Sequence, residues 1–247
     1  MSLANDISVP IRHPDRFFIG GQWVTPSSGA TINVIDSHSE DVYLTVAEAQ
    51  PADIDRAVSA AREAFDNGPW PRLTHAERAG YLRALGEQVV KRSADIAQMW
   101  PRESGVIAAV ANGAAVGAKH TFDYYAGLAD TFQWERPARP ARGGFGLIIK
   151  EPVGVVGAII PWNAPMGLIS MKLAPALIAG CTVILKSSPE APGEGYLIAE
   201  AAEAVGLPPG VLNVVTADRE VSELLVRDPR VDKITFTGST EIGRAHV

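Results

Sequence analysis

Residues 153–186 read VGVVGAIIPWNAPMGLISMKLAPALIAGCTVILK: an apolar run, a polar turn, a helical apolar pattern, then a second apolar run ending in lysine. Val153–Ile160 is β-branched and almost free of polar side chains, the pattern of a strand covered on both faces of a parallel sheet. Pro161-Trp162-Asn163 interrupts it. Met166–Ala179 then spaces its apolar residues for a helix, with Gly180 as the stop. Thr182–Lys186 is the next buried strand. Together they make a β-α-β unit, and in open α/β sheets ligands bind beyond the carboxyl ends of the strands. Asn163 and Lys186 both fall at that edge.

The alternation continues toward the C-terminus. Gly193–Val205 reads as a helix, Val211–Val215 as a strand, Glu220–Arg227 as a helix and Asp232–Thr237 as a strand, and Gly238-Ser239 opens a further helix. This spacing predicts an α/β fold with a doubly wound, Rossmann-like parallel sheet over residues 151–247. Toward the N-terminus, Phe17–Val24 predicts a hairpin turning at Gly20-Gly21, and Thr31–Ile35 and Val42–Val46 are two alternating strands. Ala52–Phe65 is an amphipathic helix behind Pro51, and Thr74–Arg92 is a long helix opened by a capping-box spacing from Thr74 to Glu77. Asp95–Glu103 and Ala108–Asp130 extend a helical N-terminal region, residues 1–130. Phe132–Ile149 has two short runs around a Pro/Arg/Gly turn, so residues 131–150 predict a protruding β-hairpin. A lone two-stranded ribbon is marginal in water. The hairpin is then either an oligomerisation arm or packed on its own subunit.

Bulk properties remove whole classes of function. The net charge is −6 over 247 residues and the pI is about 5.4, which argues against nucleic-acid and anionic-membrane partners. No stretch approaches the ~20 apolar residues of a membrane span, and the first residues lack the apolar centre of a secretory signal. The one cysteine, Cys181, cannot form an internal disulfide, which fits a cytoplasmic location. The five histidines show no ligand spacing, so no metal site is expected.

Four features carry candidate chemistry. Gly238-Ser239-Thr240-Glu241-Ile242-Gly243 is a glycine turn between a strand and a helix, either a phosphate site or a tight turn. It is no P-loop, because Arg244-Ala245 stand where Lys-Ser/Thr would be required. Lys186 ends an apolar strand and can serve ribose hydroxyls or a phosphate, or simply reach water. Asn163 offers an uncharged N–H donor at a strand tip, suited to a developing oxyanion, or it bonds its own turn backbone. Cys181 lies at the amino end of its strand, opposite the ligand edge and without a basic cluster, and reads as a structural thiol.

Seven stretches in order, FIGGQWV, PADIDRAVSAAREAF, WPRLTHAERA, DYYAGLAD, EPVGVVGAIIPWNAP, KLAPALIAGCTVILK and VDKITFTGSTEIGR, make the chain resemble the NAD(P)-dependent aldehyde dehydrogenase superfamily from about Phe18 to Arg244. The resemblance implies oxidation of an aldehyde to a carboxylic acid through a cysteine thiohemiacetal and thioester. It implies an oxyanion role for Asn163 and a place beneath the active site, on a proton path, for Lys172. It implies cofactor contacts from Ile159, Pro161, Trp162, Lys186, Ser188, Glu190, Phe236, Gly238, Ser239 and Ile242, with NAD as cofactor and NADP as the alternative. It also implies a homodimer or homotetramer with residues 132–150 starting a bridging element. The family's general base and nucleophile follow the last match, so they are expected beyond Val247 and this chain alone is expected to be inactive. Alternatives are a non-catalytic nucleotide-binding or assembly module and an acyl-CoA or acyl-phosphate reductase of the same superfamily. Glu190 stands four residues past Lys186 where the family places its glutamate three past, which bears on NAD against NADP. Ala164 and Met171 replace aromatic residues of many relatives, so the expected substrate is a medium or bulky hydrophobic aldehyde.

Overall fold

Six strands form one sheet in the order β10-β7-β8-β9-β1-β2 in a computed structural model that describes residues 9–238. The strands are β1 Phe17–Ile19, β2 Gln22–Val24, β3 Thr31–Ile35, β4 Val42–Ala47, β5 Glu135–Ala138, β6 Gly146–Ile149, β7 Val155–Ile159, β8 Thr182–Ser187, β9 Leu212–Thr216 and β10 Lys233–Phe236. The helices are α1 Pro51–Asp66, α2 His75–Lys91, α3 Ser93–Ser104, α4 Ala108–Ala111, α5 Ala114–Thr131, α6 Pro165–Ala179, α7 Gly193–Ala204 and α8 Arg219–Arg227, with a 3₁₀ turn at Trp70–Arg72.

The sheet is covered on both faces, which is why its central strands read as unbroken apolar runs. Val156, Ala158, Val183, Leu185, Leu212 and Val214 point into a core shared with α2, α5, α6 and α7. Their strand neighbours Val155, Ile159, Ile184 and Val215 point the other way, onto α1 and Leu225 of α8. β10, β7, β8 and β9 are parallel. The chain steps from β7 to β8 to β9 with α6 and α7 on one face. It then returns over the other face, through α8, to place β10 on the far side of β7. That reversal opens a crevice between the carboxyl ends of β7 and β10.

The sheet expected to be parallel is mixed. The hairpin β1-β2 turns at Gly20 and Gly21, both at positive φ, and joins β9 antiparallel at Phe18↔Val214. The cause is its composition. Phe17 and Ile19 enter one core and Phe18 the other, so the hairpin is apolar on both faces and cannot stand in water by itself. The expected helix Ala108–Asp130 is likewise broken, into α4 and α5 at Asn112-Gly113, where glycine weakens helical backbone. The capping box forms as its spacing predicts. Glu77 N–H donates to Thr74 Oγ1 at 3.2 Å, and Thr74 N–H to Glu77 Oε2 at 2.7 Å. β3-β4 and β5-β6 are separate two-stranded ribbons, the second with Phe145, Leu147 and Ile149 exposed. Among the described residues, no helix is long and apolar enough to cross a membrane.

Candidate functional site

Three strand ends meet at one level. Phe236 of β10 is in register with Ile159 of β7, and Ile159 with Lys186 of β8. Above them opens a cleft of about 530 Å³, lined by Ile159, Ile160, Pro161, Trp162, Asn163, Lys186, Ser188, Glu190, Phe236, Thr237 and Gly238. The fold thus gathers nearly every residue singled out for cofactor contact, from three separate segments. Ser239 and Ile242 lie outside the described residues. No group of three or more His, Cys, Asp or Glu suited to a metal forms among the described residues.

Lys186 is the buried cation of this cleft, 6 % exposed. Burial lowers its pKa to about 8, with the carboxylates of Glu190 and Asp218 partly offsetting that cost. Its one hydrogen bond among the described residues runs from Nζ to the Ala217 carbonyl at 3.4 Å. An ammonium has three donors, so two remain for a ligand. Ser188 Oγ donates to Glu190 Oε2, which fixes that exposed carboxylate beside the lysine. The glutamate displaced by one residue therefore still belongs to the cleft.

Asn163 sits on the turn between β7 and α6. Its carbonyl accepts from Trp100 Nε1 at 3.2 Å, and the carbonyl of Trp162 accepts from Ser104 Oγ at 2.6 Å. Both donors come from α3, so the turn is fastened by its backbone. The Asn163 side chain is exposed, and its amide has no hydrogen-bond partner among the described residues. That disposes of the alternative in which it bonds its own turn. The donor is free to meet a ligand.

Lys172 stands apart. It projects from α6 into a second groove, of about 310 Å³, with Val153, Met171, Pro175, Cys181, Lys233 and Thr235. Its Nζ donates to Thr235 Oγ1 at 3.2 Å, and burial lowers its pKa. Thr235 precedes Phe236 of the first cleft, so adjacent residues of β10 line the two grooves. Met171 is exposed in this second groove, whereas Ala164 borders the Asn163 turn; the two do not share one wall. Cys181 is buried at the amino end of β8, and burial raises its thiol pKa, as an unreactive structural thiol requires.

Reading the sequence missed Trp100, Glu103 and Glu194. A glutamate inside GEGYLIAEAAEAV resembles a solvated helix residue, yet Glu194 is fully buried. The flanking glycines were the available signal. A Cβ on Gly193 would stand 1.8 Å from Met99 Cε, and one on Gly195 would stand 2.1 Å from Ser187 Oγ. Paired glycines at a helix start mark a close backbone approach.

Proteins of known kind resemble this chain in sequence and in fold. The chain is 42 % identical over 231 residues to a geranial dehydrogenase of Castellaniella defragrans, an alignment covering 93 % of this chain and 48 % of that protein. A Mycobacterium tuberculosis aldehyde dehydrogenase solved with NAD⁺ superposes with a TM-score of 0.89 at 39 % identity, over 94 % of this chain and 48 % of that one. An NAD-dependent aldehyde dehydrogenase from Sinorhizobium meliloti superposes with a TM-score of 0.91 at 36 % identity, over 98 % and 48 %. The chain spans about half the length of the relatives it matches. Residues 23–246 match the model of the aldehyde dehydrogenase family, and the chain belongs to that family.

Proposed function

We propose that this chain is the cofactor-binding portion of an NAD(P)⁺-dependent enzyme that oxidises an aldehyde to a carboxylic acid, with NAD as the preferred cofactor. The observation that carries the reading is the free Asn163 amide and the under-bonded Lys186 ammonium in one cleft at the sheet's switch point.

The residues fit a dinucleotide. Lys186 keeps donors for the adenosine ribose hydroxyls, and Glu190, held by Ser188, can accept from the same ribose. A carboxylate there repels a 2′-phosphate, which supports NAD over NADP. Ile159, Pro161, Trp162 and Phe236 offer apolar walls, and Gly238 lines the same cleft without a side chain. When bound, the nicotinamide accepts the hydride. Asn163 Nδ2 donates to the substrate oxygen as negative charge builds on it, the neutral amide stabilising the oxyanion without taking a proton. Lys172, partly desolvated and tied to Thr235, is suited to hold or pass a proton behind the site.

Residues 1–130, 131–150 and 151–247 serve as N-terminal, bridging and cofactor-binding parts. The apolar faces of Phe145, Leu147 and Ile149 support a role for the β5-β6 ribbon in a homodimer or homotetramer. Ala164 beside the Asn163 turn leaves room for a bulky apolar aldehyde, and a relative named for geranial supports that substrate class. The test is spectrophotometric. The intact protein with NAD⁺ and a branched apolar aldehyde should produce NADH and acid; no NADH with a panel of aliphatic, terpenoid and aromatic aldehydes overturns the reading.

A further inference from the structure

Behind the Asn163 turn lies a buried polar group that the cleft does not use. Glu194, from the first turn of α7, accepts through Oε2 from the backbone N–H of Met166, while its Oε1 has no partner. Glu103 of α3 accepts from Gly193 N–H, at 3.2 Å and 3.4 Å to its two oxygens. Neither carboxyl has a cationic partner among the described residues, and burial raises both pKa values.

Met166 is the second residue of α6. Its N–H is one of the four donors that every helix leaves unmet at its start. Ala164, the N-cap residue, has no side chain able to accept it. Glu194 supplies the missing acceptor from another helix. On the other side, Trp100 Nε1 holds the Asn163 carbonyl at 3.2 Å. The backbone that carries Asn163 is gripped just before and just after it begins the helix.

We infer that Glu194 and Trp100 are positioning residues that clamp the turn from Asn163 to Met166 and so aim the Asn163 amide into the cleft. The inference rests on the oxyanion reading of Asn163. It goes beyond that reading by naming two residues that touch neither substrate nor cofactor. A donor displaced by about 1 Å loses much of its value to a transition state, while ground-state cofactor binding at Lys186 is untouched.

The experiment compares Trp100→Phe, Glu194→Ala and Glu194→Gln in the intact enzyme. Trp100→Phe and Glu194→Ala should lower kcat about tenfold or more, with the Kd for NAD⁺ changed by less than about twofold. Glu194→Gln keeps an acceptor oxygen for Met166 and should restore kcat to within about threefold of wild type. Unchanged kcat in Trp100→Phe and Glu194→Ala, with only a lower Tm, overturns the clamp and leaves the oxyanion reading standing. If Glu194→Ala does not fold, Trp100→Phe and Glu194→Gln decide. A wild-type enzyme that oxidises no aldehyde removes the underlying function first, and the clamp with it.

Discussion

Lys186 Nζ lies 3.4 Å from the Ala217 carbonyl, at the floor of the cleft into which Asn163 is free to project. A buried ammonium with donors to spare is costly to the fold and useful to a ligand. Lys186→Met should weaken NAD⁺ binding by about 10–100-fold, the value of a charge-assisted hydrogen bond at ~1.5–3 kcal/mol. Titration calorimetry on the intact protein measures it. The folded pKa of Lys186 is depressed to about 8, so its charge is lost as pH rises through that value. Wild-type affinity should therefore fall above pH 8, and the Lys186→Met variant should show no such step.

In the oxyanion role proposed for Asn163, Asn163→Ala removes a donor used only as the oxyanion forms. Turnover should drop about 100-fold or more with little change in NAD⁺ affinity. Steady-state kinetics beside a binding titration separate the two quantities. Unaltered turnover would take Asn163 out of the mechanism.

Gly154 and Asp232 join the start of β7 to the start of β10. Gly154 has φ +124°, and a Cβ there would stand 1.8 Å from Asp232 Oδ2. That oxygen accepts from Val155 N–H at 2.7 Å and pairs with Arg62 of α1 at 2.7 Å. Gly154→Ala must strain the backbone and expel the carboxylate from both partners. We expect a loss of about 2–4 kcal/mol in chemical denaturation. A loss under ~0.5 kcal/mol would show that the carboxylate can move without consequence.

Arg78 is 3 % exposed and faces carbonyls instead of a carboxylate. Its guanidinium donates to Ile178 at 3.0 Å, Trp70 at 3.3 Å and Leu73 at 2.6 Å, closing the C-terminal end of α6 onto the 3₁₀ turn. Lysine cannot reproduce that planar fork. Arg78→Lys should cost about 1–3 kcal/mol, leaving carbonyls unmet in the interior. Thermal and urea unfolding would read it, and a Tm equal to wild type would contradict it.

Glu194 makes stability depend on pH. Its folded pKa is raised from 4.5 to about 8, so the folded state holds a proton that the unfolded chain releases. Its contribution is whole below about pH 4.5 and is lost as pH rises through 8. Glu194→Gln imitates the protonated form. The difference in unfolding free energy, variant minus wild type, should grow as pH rises from 5 to about 8 and level off beyond. A difference that stays flat across that interval would mean the carboxyl is not held neutral in the fold.

Much of this was legible because local chemistry and tertiary need agreed. Val155–Ile159 and Val183–Leu185 are apolar on both faces since both faces are covered, and Gly180, at positive φ, stops α6 where its pattern ends. Thr74 and Glu77 cap one another within three residues. Lys186 and Asn163 could be placed at one edge from strand order alone. Less legible was anything that depends on distant partners. Phe17–Val24 read as a hairpin without a sheet partner named, because so short a stretch does not reveal its pairing with β9. Glu194 looked solvated because nothing near it in the chain announces Met166 as its partner.

The order of strands and helices, the polar turn at Pro161–Asn163 and the cation at the end of β8 follow from the sequence by itself, since periodicity and turn chemistry act over a few residues. Only the tertiary structure decided that β1 and β2 complete the sheet, that Lys172 faces a groove apart from Asn163, and that Trp100 and Glu194 reach the turn from Asn163 to Met166. The reason is physical. A hydrogen bond or an apolar contact depends on distance in space, and residues separated by many positions acquire that distance only when the chain has packed.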